Sequence, residues 1–220
     1  MSGGLDDDRL AVLIHEVRSP VAALAAVAEE AAHSPADSAR HDLVRLALAA
    51  CRAIERLVVD VSVASVRLVR LDVGEVVRDA VAAQLVRGAV VEVHVDDDLV
   101  VDGDAVRLRQ AIDNVIENAI RHGDDAGVVV HAAEAGEAIR IAVSDSGLGI
   151  PDDELERIFE IGARLTDDRP GSGLGLPLAR SIAEAHGGSL VAVSAPSSGA
   201  TFVFELPIPK RQPETAASSS

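Results

Sequence analysis

The sequence predicts an α+β protein, a helical hairpin followed by an α/β sandwich. Three observations predict it. Apolar residues recur at alternating spacings of four and three through Leu68. From Leu71 onward, short strand-like alternations interleave with long helical patterns that end at glycine. Finally, 48% of the 220 residues are hydrophobic, mostly Ala, Val and Leu, which is enough to build a core of that size.

The first helical seam is Leu10, Ile14, Val17, Val21, Leu24, Ala28 and Ala31. Its four-three spacing is that of an amphipathic helix in a bundle or coiled coil. HSPADS at 33–38 is a turn, with Asp37 or Ser38 able to cap the second helix. The second seam runs Leu43, Ala47, Ala50, Ile54, Leu57, Val61, Ala64 and Leu68. Two such helices joined by a short turn make a hairpin with half its seam wet. A second copy would close a four-helix bundle, so a homodimer is expected. Cys51 lies among seam residues and is expected as a small buried side chain.

Beyond Leu71 the heptad fades. LDVGEVVRDAVAAQL suggests a short strand and then a helix, and VVEVHVD and LVVDG suggest strands. DAVRLRQAIDNVIENAIRHG is a long helix stopped at Gly123. GVVVHAAEAGEAIRIAVSD is two strands around EAGE, DDELERIFE one short helix-like piece, and LGLPLARSIAEAHGG a helix closed by glycine. SLVAVSAPSSGATFVFELPI is a hairpin. The expected domains are 1–69, the hairpin; 70–208, the sandwich with helices on one face of a mixed sheet; and 209–220, a disordered tail.

Charge and composition exclude several functions. A net charge of −16 argues against nucleic-acid and anionic-membrane surfaces, both of which need clustered Lys and Arg. No apolar run reaches the length of a membrane span, and the start, MSGGLDDD, is polar, so a cytoplasmic location without a membrane segment is expected. With one Cys there is no internal disulfide and no Cys/His metal cluster. With no Trp or Tyr and three Phe, a bound base would rest on aliphatic contacts and hydrogen bonds.

His15 is the chemical centre of the first helix. It sits one residue past a seam position, on the solvent flank, beside Glu16 and ahead of Ser19 and Pro20. A neutral, exposed imidazole is a good nucleophile near pH 7. Pro20 removes the bond to the Glu16 carbonyl and bends the helix just past the histidine. The plainer alternative is a surface histidine on an ordinary helix. H-E-x-R-[ST]-P resembles the H box of sensor histidine kinases.

The second domain carries three more patterns. Asn114 and Asn118, four apart, share a helix face with Glu117, Arg121 and His122 on or beside it. Carboxamide oxygens are hard neutral ligands, suited to a Mg²⁺ completed by phosphate and water, although a plain polar helix face fits equally well. Asp145 ends a strand before Gly147 and Gly149, where a carboxylate can accept from an exocyclic amine and the glycines allow close backbone approach. Asp and Gly are also common at any strand-to-turn junction. Gly171, Gly173 and Gly175 precede a helix, a backbone-amide anion site, though without the Lys-Ser/Thr of a P-loop or the G-x-G-x-x-G of a Rossmann turn.

In that order, N-x-x-x-N, D-x-G-x-G, F-E and G-x-G-x-G resemble the N box, first glycine box, F box and second glycine box of the histidine kinase catalytic domain. The likeness covers about residues 8–208. The ATP domain alone would also suit type II topoisomerases, mismatch-repair ATPases and anti-sigma serine kinases; the H box decides for the kinases.

The resemblance implies an ATP-dependent protein-histidine kinase that passes phosphate to an aspartate on a response regulator. It implies His15 as phosphoacceptor, Glu16 as the acid taking its proton, and Ser19 as a hydroxyl that assists dephosphorylation of the regulator, although a small residue fitting the bend before Pro20 explains Ser19 equally well. Asn118 would be the main Mg²⁺ ligand with Asn114 beside it, Arg121 a phosphate contact and Asp145 the adenine reader. Gly147, Gly149, Gly171, Gly173 and Gly175 would surround the nucleotide, with Phe159 the F box and Arg164 a lid arginine near the γ-phosphate. His122, Ile150, Leu174 and Thr201 complete the expected ATP contacts. Gly162 and Ala163 stand where members often carry two aromatics, and the lid, LTDDRPGSG, is short, which implies looser docking. The alternative is a phosphotransfer module whose kinase-like domain does not use ATP.

Overall fold

The computed structural model describes residues 47, 50, 51, 54, 66–123, 127–163, 173–194 and 198–209. Of the candidate site residues named above, His15, Glu16, Ser19, Arg164 and Gly171 lie outside the described residues, as do the first expected helix, most of the second, residues 164–172 of the expected lid and the tail from residue 210.

The strands are β1 (Val69–Asp72), β2 (Val91–Val95), β3 (Val100–Gly103), β4 (Val128–Ala135), β5 (Ala138–Asp145), β6 (Ser189–Ser194) and β7 (Ala200–Pro207). The helices are α1 (Val73–Val86), α2 (Ala105–His122) and α3 (Gly175–Ala185). Five strands form one sheet in the order β2-β4-β5-β7-β6, parallel only between β2 and β4. β1 and β3 make a separate antiparallel pair. This is the mixed α/β sandwich expected.

Strand alternation decides which face is covered. Val128, Val130 and Ala132 on β4, Ile139, Ile141 and Val143 on β5, and Phe202, Phe204 and Leu206 on β7 are buried on the inner face. The residues between them point the other way, as in Arg140, whose guanidinium meets Glu205 at 2.6 Å across β5 and β7. The helices bury apolar stripes against the inner face: Val73, Val77 and Ala80 from α1, Leu108, Ile112, Val115, Ile116 and Ala119 from α2, and Leu178, Ile182 and Ala183 from α3. Among the described residues no helix is long and apolar enough to cross a membrane.

Three expectations change in detail. DDELERIFE is two 3-10 turns, Asp152–Glu154 and Arg157–Phe159, rather than one helical piece. Gly123 stops α2 in an extended conformation (φ −68°), its N–H bonding the Ala119 carbonyl, so it supplies no left-handed turn; Gly187 after α3 does (φ 72°). Cys51 is exposed, not buried. Its helical neighbour Ala50 takes the inward position at 5% exposure, and one residue along a helix turns the side chain by about 100°.

One residue ties the entering chain, α2 and α3 together. Asp104 caps α2: its Oδ1 accepts from the N–H groups of Val106 (3.1 Å) and Arg107 (3.2 Å). Its Oδ2 accepts from the Arg67 N–H at 3.1 Å, just before β1. Its own N–H donates to Nε2 of buried His186 at 2.9 Å, and Nδ1 of that ring lies 2.6 Å from the Ile182 carbonyl oxygen. A backbone N–H only donates and a carbonyl only accepts, so the imidazole is neutral with its proton on Nδ1.

Burial pushes the Asp104 carboxyl up, but the backbone N–H bonds from Arg67, Arg107 and Val106 outweigh it and hold the group below its ordinary value of 3.8. A lowered carboxyl stabilises the fold above its unfolded value, and the gain is lost as pH falls through the folded value. Asp104→Ala should therefore cost about 0.5–2 kcal/mol at pH 7. The difference in urea midpoint from wild type should shrink below about pH 4. An equal difference at pH 7 and pH 3 would contradict the ionised cap.

Candidate functional site

The site is built on the flank of α2. Its apolar stripe faces the sheet, which leaves Asn114 and Asn118 half-buried on one side and Arg121 and His122 exposed at the end. Among the described residues neither asparagine carboxamide hydrogen-bonds a protein partner. Asp113 lies on the other flank, where it pairs with Arg109 at 2.8 Å; Glu117, one turn on, meets Arg87 at 3.0 Å at the end of α1. Burial pushes the Asp113 carboxyl up despite Arg109, and its Oδ1 is buried without a partner. This titration belongs to the α1–α2 contact and not to the asparagine flank.

Two glycine-rich loops border that flank. A β-carbon on Gly175 would sit 3.6 Å from the Asn114 Cβ, so the start of α3 lies against the middle of α2. A β-carbon on Gly147 would collide with the His122 carbonyl, and one on Gly123 would lie 3.2 Å from the Asp145 Cβ. The loop after β5 therefore packs on the end of α2. Asn114 and His122 are eight residues apart, about 12 Å along the helix, with Asn118 midway.

At the far end Asp145 terminates β5. Its Oδ1 accepts from the N–H groups of Gly147 (2.9 Å) and Ala200 (3.2 Å), which orients the carboxylate and leaves Oδ2 outside both bonds. Gly149 takes φ 78°, which turns the chain so that Ile150 is buried and its N–H reaches Ser194 Oγ at 2.8 Å. Ser194 Oγ in turn donates to the Gly199 carbonyl at 2.6 Å, and the Gly199 N–H bonds the Gly147 carbonyl. A β-carbon on Gly199 would collide with the Asp145 carbonyl.

No sequence pattern singles out Ser194, Gly199 or Ala200. The glycine before the last strand is the available signal, but only strand register puts it on Asp145. Conversely, the structure does not bring Thr201 into this cluster. β7 alternates buried and half-buried residues, and Thr201 falls on the outer face opposite Ser144, where the two hydroxyl oxygens lie 2.9 Å apart. Ala200 occupies the place beside Asp145.

At the near end, Gly173 takes φ 70° and Gly175 opens α3. The N-cap position, Leu174, makes no side-chain cap bond, and no acidic residue lies in the first turn. α1 and α2 differ, since Asp72 and Asp104 cap them. A helix N-terminus without a carboxylate is a place for an external anion. Phe159 is buried against α3, below Arg180. The flank thus presents two amide groups between an oriented carboxylate and the start of α3. Among the described residues no three His, Cys, Asp or Glu form a metal cage.

The comparisons with known proteins agree with this geometry. The family described as histidine kinase-, DNA gyrase B-, and HSP90-like ATPases matches residues 103–210. The signal transduction histidine-protein kinase BaeS of Escherichia coli (strain K12) is 35% identical over 127 residues, covering 56% of this chain and 27% of BaeS. The adaptive-response sensory kinase SasA of Synechococcus sp. (strain CC9902) is 33% identical over 214 residues, covering 90% of this chain and 56% of SasA. The chain therefore spans about half or less of these relatives' length. Among solved structures, the mycobacterial sensor histidine kinase MprB matches with a TM-score of 0.58 at 28% identity, over 64% of this chain and 97% of that one. Residues 103–210 are thus a domain of the histidine kinase-, DNA gyrase B- and HSP90-like ATPase family, and with sensor histidine kinases as its relatives this part of the chain matches the catalytic core of a sensor histidine kinase.

Proposed function

We propose that this chain is the core of an ATP-dependent protein-histidine kinase that phosphorylates His15 and passes the phosphoryl group to an aspartate of a response regulator. The observation that carries the reading is the α2 flank. Its unengaged Asn114 and Asn118 stand between the oriented Asp145 carboxylate and the glycine-flanked start of α3, against which Asn114 packs. A nucleotide laid along it would put its adenine amine on Asp145 Oδ2, its base over Ile150 and its phosphates toward Gly173 and Gly175. Arg121 and His122 flank the same groove. The retained asparagines and glycines favour this over a phosphotransfer module that does not use ATP.

The donor set fits Mg²⁺, since two neutral carboxamide oxygens leave the remaining positions to phosphate and water. When bound, the ion would offset phosphate charge. The chain's own groups do the rest. An imidazole nitrogen of His15 attacks the γ-phosphorus while the bond to the ADP oxygen breaks, and Glu16 takes the imidazole proton. Arg164 and Gly171 would complete the phosphate end, and Phe159 the base of the lid. Residues 1–69 would form the phosphoacceptor hairpin, 70–208 the ATP domain and 209–220 a tail. Ser19, one turn from His15, would hold a water in line with the regulator's aspartyl phosphate.

Four experiments test the reading. With MgATP the protein should gain acid-labile, base-stable phosphate, lost in His15→Ala; undiminished labelling of that variant would refute the phosphoacceptor. Ser19→Ala should keep the label but slow dephosphorylation of the regulator about tenfold or more. In calorimetry, Asp145→Asn should weaken MgATP binding by about 1–3 kcal/mol, because a donor replaces an acceptor facing the adenine amine. Unchanged affinity there would move the adenine site elsewhere. The hairpin should pair with a second copy. Leu57→Glu places a charge in the seam and should give monomers by light scattering, whereas a monomeric wild type at micromolar concentration would exclude the four-helix bundle.

A further inference from the structure

Arg180 lies inside α3, five residues beyond Gly175, or about 7.5 Å along the helix. Its side chain is 29% exposed and has partners on two sides. The guanidinium carbon stands 4.6 Å from the centroid of the Phe159 ring. Nη1 donates to Glu156 Oε2 at 2.8 Å, and Nε lies 3.6 Å from Glu184 Oε1, one turn along the same helix. Phe159 is itself buried, so the cation rests on a fixed aromatic face rather than a mobile one.

The segment that Arg180 grips meets α3 a second time. Three residues past Phe159, the Gly162 N–H donates to the Gly173 carbonyl at 3.2 Å. A β-carbon on Gly173 would lie 3.0 Å from the backbone of Gly162 and Ala163. Gly173 is also one of the residues held at positive φ. Residues 156–163 are thus attached to α3 at two points, one inside the helix and one at the turn that begins it. The Gly162 bond orients the Gly173 peptide, and Gly175, two residues on, lies against Asn114.

We infer that Arg180 is a positioning residue for the phosphate end of the site: by clamping Phe159 and Glu156 to α3 it holds the Gly162–Gly173 contact, and through it the anion-binding shape of the Gly173–Gly175 turn. Arg180 touches no nucleotide in this scheme, because its guanidinium is already engaged by Glu156 and Phe159. The inference rests on the proposed nucleotide site and adds to it a residue that acts on the phosphates and not on the base.

That distinction gives the test. MgADP and adenosine are titrated into the full chain and followed by amide chemical shifts. Arg180→Met keeps the apolar stem and removes the charge. It should weaken MgADP about tenfold, the scale of a partly desolvated cation–π contact with its ion pair, and leave adenosine unchanged. Arg180→Lys keeps a cation over the ring and should recover part of the loss; it also allows the same comparison if Arg180→Met does not fold. Phe159→Leu added to Arg180→Met should give little further loss, since both remove one clamp. MgADP affinity equal to wild type in Arg180→Met would overturn the inference, and so would an equal loss for MgADP and adenosine, which marks general loosening of the domain. Wild-type protein that binds neither ligand would bring down the nucleotide site itself, and the clamp with it.

Discussion

The burial of one stripe of α2 is the constraint on which the site depends. Leu108, Ile112, Val115, Ile116 and Ala119 are each no more than 1% exposed. That stripe sets the rotation of the helix about its own axis. Turning it by one residue, about 100°, would carry an asparagine carboxamide into the core without a partner, at a cost of several kcal/mol. Asn114 and Asn118 therefore occupy their flank because the other side of the helix is committed. The Asp104 cap and the His186 bond fix the helix start in the same way, joining it to the entering chain and to the end of α3.

Once α2 is fixed, the loops are placed by close backbone approach. Gly147 and Gly199 have no room for a side chain, because carbonyl oxygens occupy the space. Their contacts draw the turn after β5, the β6–β7 connection and the end of α2 onto Asp145. That carboxylate is oriented by two amides from different parts of the chain, Gly147 and Ala200, and so is aimed before any ligand arrives. All three phenylalanines, Phe159, Phe202 and Phe204, are in the core, so a base in the proposed groove would meet aliphatic side chains.

A perturbed carboxylate did not mark the site. Asp113 is raised by burial next to the paired asparagines in sequence, yet it faces α1. On a helix, adjacency in sequence means separation in direction, so the neighbours of a functional residue commonly belong to another contact. Thr201 illustrates the same rule in a strand. Period-two alternation places it on the outer face while Ala200, one residue earlier, meets Asp145.

What the sequence determined by itself was periodic or local. The strands and helices of the sandwich, the shared face of Asn114 and Asn118, Asp145 at a strand end and the glycines before α3 were all legible, because spacing along one element fixes which residues share a face. The ordered boxes also pointed to the family without coordinates. Only the tertiary structure decided what depends on residues far apart in the chain. It set Gly199 and Ala200 against Asp145 through strand register, Arg180 over Phe159, Asp104 between Arg67 and His186, and Cys51 outward rather than inward. Contacts of this kind carry no local signature, since they arise from how whole elements pack and not from the pattern of any one of them.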